Sequence, residues 1–321
     1  MSTPLLRSAE DIPDLSGQVA LVTGANSGLG LVTARELARH GARVLMACRD
    51  TAKGEAARRA VLADTGAPAE QVEVRALNLA SLESVRGLAA GWQGPLDVLV
   101  LNAGVMAPPK RRPTADGFEL QWGTNHLGHF ALAGLLWPVL VEREGRPLSH
   151  ARVVTVSSGA HKMGRIDFAD LNHERSYRAW QAYGQSKLAN LLFALELDRR
   201  AAAAGAPVVS AAAHPGYAST NLQLAGPAMD GPAFKKSVIR AANRVMGQSD
   251  AQGALPQLAA ATLDAVPGGA YVGPGGFMES RGLPVFVHPS AAARDAVDAR
   301  RLWAESERLT GVRWLSEGLA A

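Results

Sequence analysis

Cysteine is almost missing from this chain: Cys48 is the single one among 321 residues. One thiol excludes an intrachain disulfide and the cysteine-rich zinc patterns. Long apolar runs are missing too; none reaches the ~18 residues that a membrane-spanning helix needs. Charge of one sign is in short supply. There are 33 Lys and Arg against 29 Asp and Glu, a net +4 with a pI near 9.4 and no basic run, a pattern that argues against nucleic acid and suits an anionic cofactor. The first sixteen residues contain Glu10, Asp11 and Asp14 and lack the apolar core of a signal peptide. His126 and His129 are close in sequence, but no acid or cysteine beside them completes the three or four ligands of a metal site, so no metal is expected. No linker, repeat or low-complexity segment divides the chain. These absences predict one cytoplasmic domain spanning 1–321.

What is present is an alternation. The chain is 47% apolar with 33 glycines, enough for one large core. Residues 18–23 form a β-branched, apolar run typical of a buried parallel strand. A glycine-rich turn follows, then a helical pattern over 31–40 that Gly41 stops. Further strands are predicted at 43–47, 72–77, 96–101, 151–156 and 207–212, with a short last one at 270–272. Helices are predicted at 51–65, 81–90, 116–142, around Tyr183 and at 291–309, with 273–276 as a turn. Repeated strand–helix units of this length imply an α/β fold: a doubly wound parallel sheet of the Rossmann type, about seven strands, helices on both faces. Ligands of such sheets bind outside the carboxyl ends of the strands.

The strand ends hold the informative residues. After the first strand comes Gly24-Ala-Asn-Ser-Gly28-Leu-Gly30, placed as a phosphate-binding turn requires: the glycines allow a tight turn, close backbone approach to a pyrophosphate, and helix–strand packing. Amide N–H groups at the following helix start hold the anion. The second strand ends in Cys48-Arg49-Asp50. Cys48 cannot hydrogen-bond a ribose 2′-hydroxyl as an acid would, whereas Arg49 suits a 2′-phosphate, which favours NADP(H) over NAD(H). The fourth strand ends in Asn102, Ala103 and Gly104, the fifth in Ser157 and Ser158, the sixth in His214-Pro215-Gly216. Asn125 is an amide among apolar neighbours in its helix, so it should face something polar. Tyr183 and Lys187, four apart on a helix, project to one side. A cation beside a phenol favours the phenolate, and a phenol tuned this way exchanges a proton with a substrate oxygen.

Taken together, Thr23-Gly24-x3-Gly28-x-Gly30, Asn102-Ala103-Gly104, Asn125, Ser157-Ser158 and Tyr183-x3-Lys187 resemble the short-chain dehydrogenase/reductase superfamily, with all motifs in order from about residue 17 to 225. The Asn125-His-Leu-Gly-His-Phe130 and Ser186-Lys-Leu-Ala-Asn190 stretches are further similar to the branch containing the retinol dehydrogenases, the WW-domain oxidoreductase and protochlorophyllide reductase. The resemblance implies that Tyr183 is the acid/base and that Lys187 lowers its pKa and holds the nicotinamide ribose. Ser158 binds the substrate oxygen, and Asn125 anchors a water in a proton relay. It further implies a cofactor lined by Gly24, Asn26, Ser27, Gly28, Leu29, Gly30, Arg49, Asn78, Leu79, Asn102, Ala103, Gly104, Tyr183, Lys187, Pro215, Gly216, Ala218 and Thr220. Asn78 departs from the family's usual aspartate near the adenine, but its amide oxygen still accepts a hydrogen bond. The helices carrying Asn125 and Tyr183 are common homodimer faces in this family.

The function expected is hydride transfer between NADP(H) and an alcohol or carbonyl of a small-molecule substrate, bulky and apolar. Two alternatives use the same fold: reduction of a carbon–carbon double bond, and a cofactor-sensing regulator without chemistry, which would not need the intact Tyr183, Lys187, Ser158 and Asn125. From about residue 222 a substrate lid is expected, with 231–246 an amphipathic helix. Its apolar side includes Phe234 and Val238, and its basic side Lys235, Lys236, Arg240 and Arg244. Closing over an apolar substrate is the favoured role of that helix; lying on an anionic membrane surface is the other.

Overall fold

The computed structural model describes residues 3–217 and 248–315. Eight strands form one sheet in the order β3-β2-β1-β4-β5-β6-β7-β8. They are β1 Val19–Thr23, β2 Arg43–Cys48, β3 Val72–Ala76, β4 Val98–Leu101, β5 Ala151–Val156, β6 Val208–Ala213, β7 Tyr271–Pro274 and β8 Pro284–Phe286. All neighbours pair in parallel except β7 and β8. The α/β doubly wound fold is therefore as read from the sequence, with one strand more than the seven expected. β8 escaped because it is three residues long, opens on proline, and is held only by antiparallel pairing that places Pro274 opposite Pro284. Residues 273 and 274, expected in a turn, belong to β7.

The direction in which strands are added to the sheet reverses between β1 and β4. From β1 the sheet grows through β2 to β3, then returns to grow the other way from β4. The carboxyl ends of β1 and β4 thus diverge around a crevice, the place where such sheets bind ligands. Helices α1 (Gly28–Arg39), α2 (Thr51–Thr65) and α6 (Asp250–Thr262) cover one face, where Val32, Leu37, Val61 and Leu258 meet Val22, Val44 and Val100. Helices α3 (Leu82–Ala90), α4 (Gly128–Val141) and α5 (Ala179–Ala203) cover the other, where Phe130, Leu136 and Phe193 meet Leu21, Leu99 and Val153.

The helix expected over 116–142 begins later. Gly117 is left-handed (φ 87°), Pro113 bridges Glu119, and the Asp116 carboxylate accepts the Leu82 N–H at 2.9 Å, so this segment is a tight loop braced against α3. Helical turns then open with a π-helical segment, Trp122–Leu127, before α4. π-turns occur mostly as single insertions at functional sites, and this one contains Asn125. The helix expected at 291–309 is a short 3₁₀ turn, Ala292–Arg294, then α7, Ala296–Thr310, which Asp295 caps through the Val297 and Asp298 N–H groups.

Helix α7 packs on α5 and α4. Trp303 and Trp314 lie against Phe130 and Phe193, with ring centroids 4.7–6.2 Å apart, and a Cβ at Gly134 of α4 would meet the Trp314 ring at 2.6 Å. Between Ala182 and Ala194 every residue of α5 is buried. Helix α7 thus covers part of the α4–α5 surface that the family resemblance offers to a second copy. Among the described residues no helix is long and apolar enough to cross a membrane. Truncating the buried Trp303 to Ala should remove about 3–5 kcal/mol of stability; a lowered urea midpoint with an unchanged slope measures it, and a change under about 1 kcal/mol would show that α7 is not part of the core.

Candidate active site

The first wall of the crevice is the turn after β1. Gly24 (φ 68°) and Gly28 (φ 55°) take left-handed backbone, which L-residues with a Cβ rarely adopt. Gly30 is needed for a different reason: a Cβ there would sit 2.5 Å from the Gly24 carbonyl oxygen and from Asn102 Nδ2. Asp50, Ser81, Ser249 and Asp295 each cap their helices with a side-chain oxygen, whereas Ser27 makes no such bond at the start of α1. The first-turn N–H groups of α1 therefore remain available to an anion, and Asn26 and Leu29 flank them.

The second wall is the end of β4. Thr23 Oγ1 accepts the N–H groups of Asn102 and Ala103, both at 2.9 Å. His129 Nδ1 lies 3.0 Å from the Asn125 carbonyl oxygen, which can only accept, so that nitrogen carries the proton. Its Nε2 then accepts the Thr23 hydroxyl proton at 2.9 Å. Burial holds this imidazole neutral, its pKa driven down to about 4. Asn102 gives Nδ2 to the Thr23 carbonyl at 2.8 Å and takes Gln257 Nε2 at 3.2 Å. Its side chain thus builds the crevice rather than projecting into it. Leu79 likewise turns its side chain into the core. Asn78 Oδ1 accepts the Ala80 N–H at 3.2 Å, leaving a second lone pair for a further donor.

Arg49 is exposed. Its sequence neighbour Asp50 caps α2 and pairs with Lys53 at 3.0 Å instead, and Arg49 has no ion-pair or hydrogen-bond partner among the described residues. An uncommitted guanidinium at the β2 tip, beside the buried thiol of Cys48, is able to pair with a phosphate.

Three elements converge behind the crevice. Asn125 Oδ1 accepts the Val105 N–H at 2.8 Å, and its Nδ2 donates to the Val105 carbonyl at 3.0 Å and to Ser186 Oγ at 2.9 Å. Ser186 Oγ donates to the Tyr183 carbonyl at 2.8 Å. The loop after β4, the π-turn and α5 are tied through one amide. A Cβ on Gly104 would stand 3.1 Å from Asn125 Oδ1 and 3.6 Å from Lys187 Nζ, so the absence of a side chain there leaves room for the ammonium. Lys187 Nζ lies 5.9 Å from the Tyr183 ring centre and donates to the Val156 carbonyl at 3.1 Å. An ammonium has three donors; the Val156 carbonyl is its one hydrogen-bond acceptor among the described residues. Two donors of a buried cation are left for a ligand, which fits ribose hydroxyls.

Ser157 and Ser158 divide their work. Ser157 Oγ donates to the Lys187 carbonyl at 2.7 Å and is buried, while Ser158 is half-buried and opens the 3₁₀ turn Gly159–Met163. The Ser158 hydroxyl faces the Tyr183 phenol closely enough to favour the phenolate. Burial pushes the phenol up to about 12, opposed only by Ser158, and pulls the Lys187 ammonium down to about 8. The sequence led us to expect a phenol lowered by Lys187. Desolvation outweighs the cation here, because the ammonium is directed at Val156 rather than at the phenol oxygen. Pro215 and Gly216 line the turn after β6, where Gly216 is left-handed (φ 65°). Ala218, Thr220 and the 231–246 helix lie outside the described residues. Ser186, His129 and Gln257 were not singled out as site residues from the sequence, although His129 stands one helical turn after Asn125.

Fold and crevice together have the form of an α/β oxidoreductase. The pattern of the short chain dehydrogenase family matches residues 18–229, and the chain belongs to that family. It is similar to mouse (Mus musculus) polyprenol dehydrogenase, 42% identical over 94% of this chain and 86% of the relative, and to human (Homo sapiens) retinol dehydrogenase 13, 40% identical over 93% and 86%. Among solved structures it resembles a Mycobacterium Paratuberculosis protein (46% identity, TM-score 0.77, 97% of this chain and 99% of that one). It also resembles a Beutenbergia cavernae protein with bound NADP (26% identity, TM-score 0.56, 78% and 91%).

Two outcomes test this geometry. Gly30→Ala should lower stability by about 1–3 kcal/mol through the clash with Gly24; a thermal melt identical to wild type would contradict the close approach. Lys187 makes stability depend on pH with a defined sign. Its folded pKa lies below the unfolded value, so between about pH 8 and 10 the unfolded chain holds more protons and stability rises with pH. The increment, up to about 3 kcal/mol, should disappear from denaturant titrations of Lys187→Met; its persistence would place it elsewhere. Tyr183 contributes oppositely only above about pH 10.

Proposed function

We propose that this protein is an NADP(H)-dependent oxidoreductase that interconverts an alcohol and a carbonyl on a bulky apolar substrate. The observation that carries the proposal is the meeting of Tyr183, Ser158 and Lys187 at the crevice that the uncapped start of α1 and the free Arg49 prepare for a phosphorylated dinucleotide. When bound, the nicotinamide supplies or accepts the hydride. Everything else falls to the chain. Ser158 offers its hydroxyl to the substrate oxygen and Tyr183 passes a proton to it, giving the alcohol in the reductive direction. A phenol whose pKa stands near 12 is protonated at neutral pH, the form that donates. Lys187, as the ammonium below about pH 8, favours the phenolate left after donation and offers its two remaining protons to ribose hydroxyls. Asn125 holds Val105 and, through Ser186, α5, which keeps Gly104 and Lys187 in register.

Apolar substrate chemistry is supported by the rim. Large apolar side chains are exposed mainly around this end of the sheet: Met163 follows the Ser158 turn, Trp180 meets the Tyr183 ring edge-on at 5.9 Å, Tyr217 ends the Gly216 turn, and Phe277 and Met278 lie in the β7–β8 loop. Exposed apolar clusters of this kind mark binding surfaces. The names of the relatives, a polyprenol and a retinol dehydrogenase, point to the same class of substrate.

Loss of NADPH absorbance against carbonyls of graded size and polarity tests the proposal; activity confined to small polar compounds would refute it. Tyr183→Phe should keep NADPH affinity and lower turnover about 100-fold or more, and near-normal kcat would remove Tyr183 from its role. Arg49→Ala should narrow the preference for NADPH over NADH by about 10–100-fold, the worth of a charge-assisted phosphate contact. Equal affinity of the wild type for both cofactors would dispose of that assignment.

A further inference from the structure

Glu279 belongs to no motif, yet it joins the two turns that flank the reacting centre. It lies in the β7–β8 loop, 275–283, where Met278 (φ 50°) and Glu279 (φ 55°) are consecutive non-glycine residues in left-handed backbone. Each such residue is strained and persists only where its surroundings hold it. The surroundings here are polar and specific. Glu279 Oε2 lies 3.1 Å from Lys162 Nζ, in the 3₁₀ turn that Ser158 opens. The same oxygen lies 3.3 Å from His214 Nε2, at the end of β6. His214 Nδ1 accepts the Gly216 N–H at 3.2 Å, so the ring proton is on Nε2, facing the carboxylate. The approach is off the N–H axis, and the carboxylate meets the ring N–H as a dipole. These two partners hold the Glu279 carboxyl at about 2, ionised throughout the working range.

The backbone completes the stitch. Ser280 carbonyl accepts the Tyr217 N–H at 2.7 Å, and a Cβ on Gly216 would stand 2.5 Å from that same oxygen. Gln248 Nε2 donates to the Pro215 carbonyl at 2.5 Å, while its Oε1 accepts the Gly282 N–H at 3.3 Å. The loop is thereby fixed across the Ser158 turn on one side and the Pro215–Gly216 turn on the other. The side chains it carries there, Phe277 and Met278, are each 80% exposed.

We propose that Glu279 is a positioning residue for substrate selection: through Lys162 and His214 it fixes the β7–β8 loop so that Phe277 and Met278 form an apolar rim for the tail of a substrate whose carbonyl reacts at Tyr183. The proposal rests on the functional reading above. The occupant is the substrate tail itself, because the rim is tied directly to the turn of Ser158, which binds the reacting oxygen.

The test uses the full-length enzyme with NADPH and straight-chain aldehydes from propanal to dodecanal, in wild type, Glu279→Gln, Lys162→Gln and the double variant. The ratio of kcat/KM for dodecanal to that for propanal should fall about five-fold in each single variant, the scale of a half-exposed ion pair, mainly through KM for dodecanal. The double variant should fall no further than Glu279→Gln alone, since that variant already removes the contact with Lys162. Trypsin supplies a readout independent of activity: cleavage after the exposed Arg281 should become about five-fold faster in both single variants, as the loop leaves its clamp. Unchanged cleavage overturns the clamp. Faster cleavage with an unchanged dodecanal-to-propanal ratio, or additive losses in the double variant, overturns the selection role. A wild type inert to every aldehyde while cleavage responds as stated overturns the functional reading and the selection role with it, and leaves the clamp. Lys162 is half exposed, so its variant folds even where Glu279→Gln does not.

Discussion

One amide holds the reacting part of this molecule together. Asn125 sits where the helix after β4 widens into a π-turn, and it binds both backbone groups of Val105 and the hydroxyl of Ser186. Without that grip, and apart from a second tie through Gln121, which links Ala107 to Ala179 at the start of α5, the loop after β4 and helix α5 would meet through apolar contacts, which resist separation but tolerate sliding. Hydrogen bonds in a buried network fix direction as well as distance. Lys187 and Tyr183 are borne on α5 and Gly104 on the loop. Their mutual placement therefore depends on a residue that itself lies behind the reacting atoms.

A second network, through Thr23, sets the opposite wall. A threonine hydroxyl has two acceptor sites and one proton, and here all three are used: two N–H groups just after β4 and one imidazole nitrogen. The ends of β1 and β4, which must diverge for a crevice to open, are locked at a fixed separation. His129 reports to both networks, since its other nitrogen holds the Asn125 carbonyl. The two walls of the crevice are therefore not independent.

Much of this was legible in the sequence, and the division has a physical basis. Strand runs and the glycine turn are local: β1 is VALVT because both faces are buried, and Gly24 and Gly30 are glycines for reasons of φ and of close approach at the turn itself. Tyr183 and Lys187 were legible because four-residue spacing on a helix is local too. The widened turn at Asn125 was not, since a π-turn follows from what α5 and Val105 demand of that amide. β8 was invisible because its pairing with β7 supplies its whole reason to be extended. Asp116 read as helical by composition, yet its carboxylate is taken by Leu82, far along the chain. The direction of the Tyr183 shift was misread for a similar reason: spacing tells that a cation is near, while burial, which outweighs it, is a property of the assembled core.

The burial that raises Tyr183 and lowers Lys187 is also what makes the pair usable. In water a Lys ammonium is fully solvated and a phenol near its ordinary pKa is indifferent to a cation 6 Å away. Inside this crevice the buried ammonium is bonded to the Val156 carbonyl and the phenol is buried beside Ser158, so each responds strongly to any group placed beside it. A buried, under-satisfied cation opposes stability in the folded chain. That opposition is tolerated because apolar clusters on both faces of the sheet carry the stability, while other buried charges, such as Asp97 with Arg143 and Arg146 or Glu196 with Arg200, are paired. Local conflict inside an otherwise consistent fold is how a functional site is recognised, and here the conflict lies where Ser158, Tyr183 and Lys187 meet.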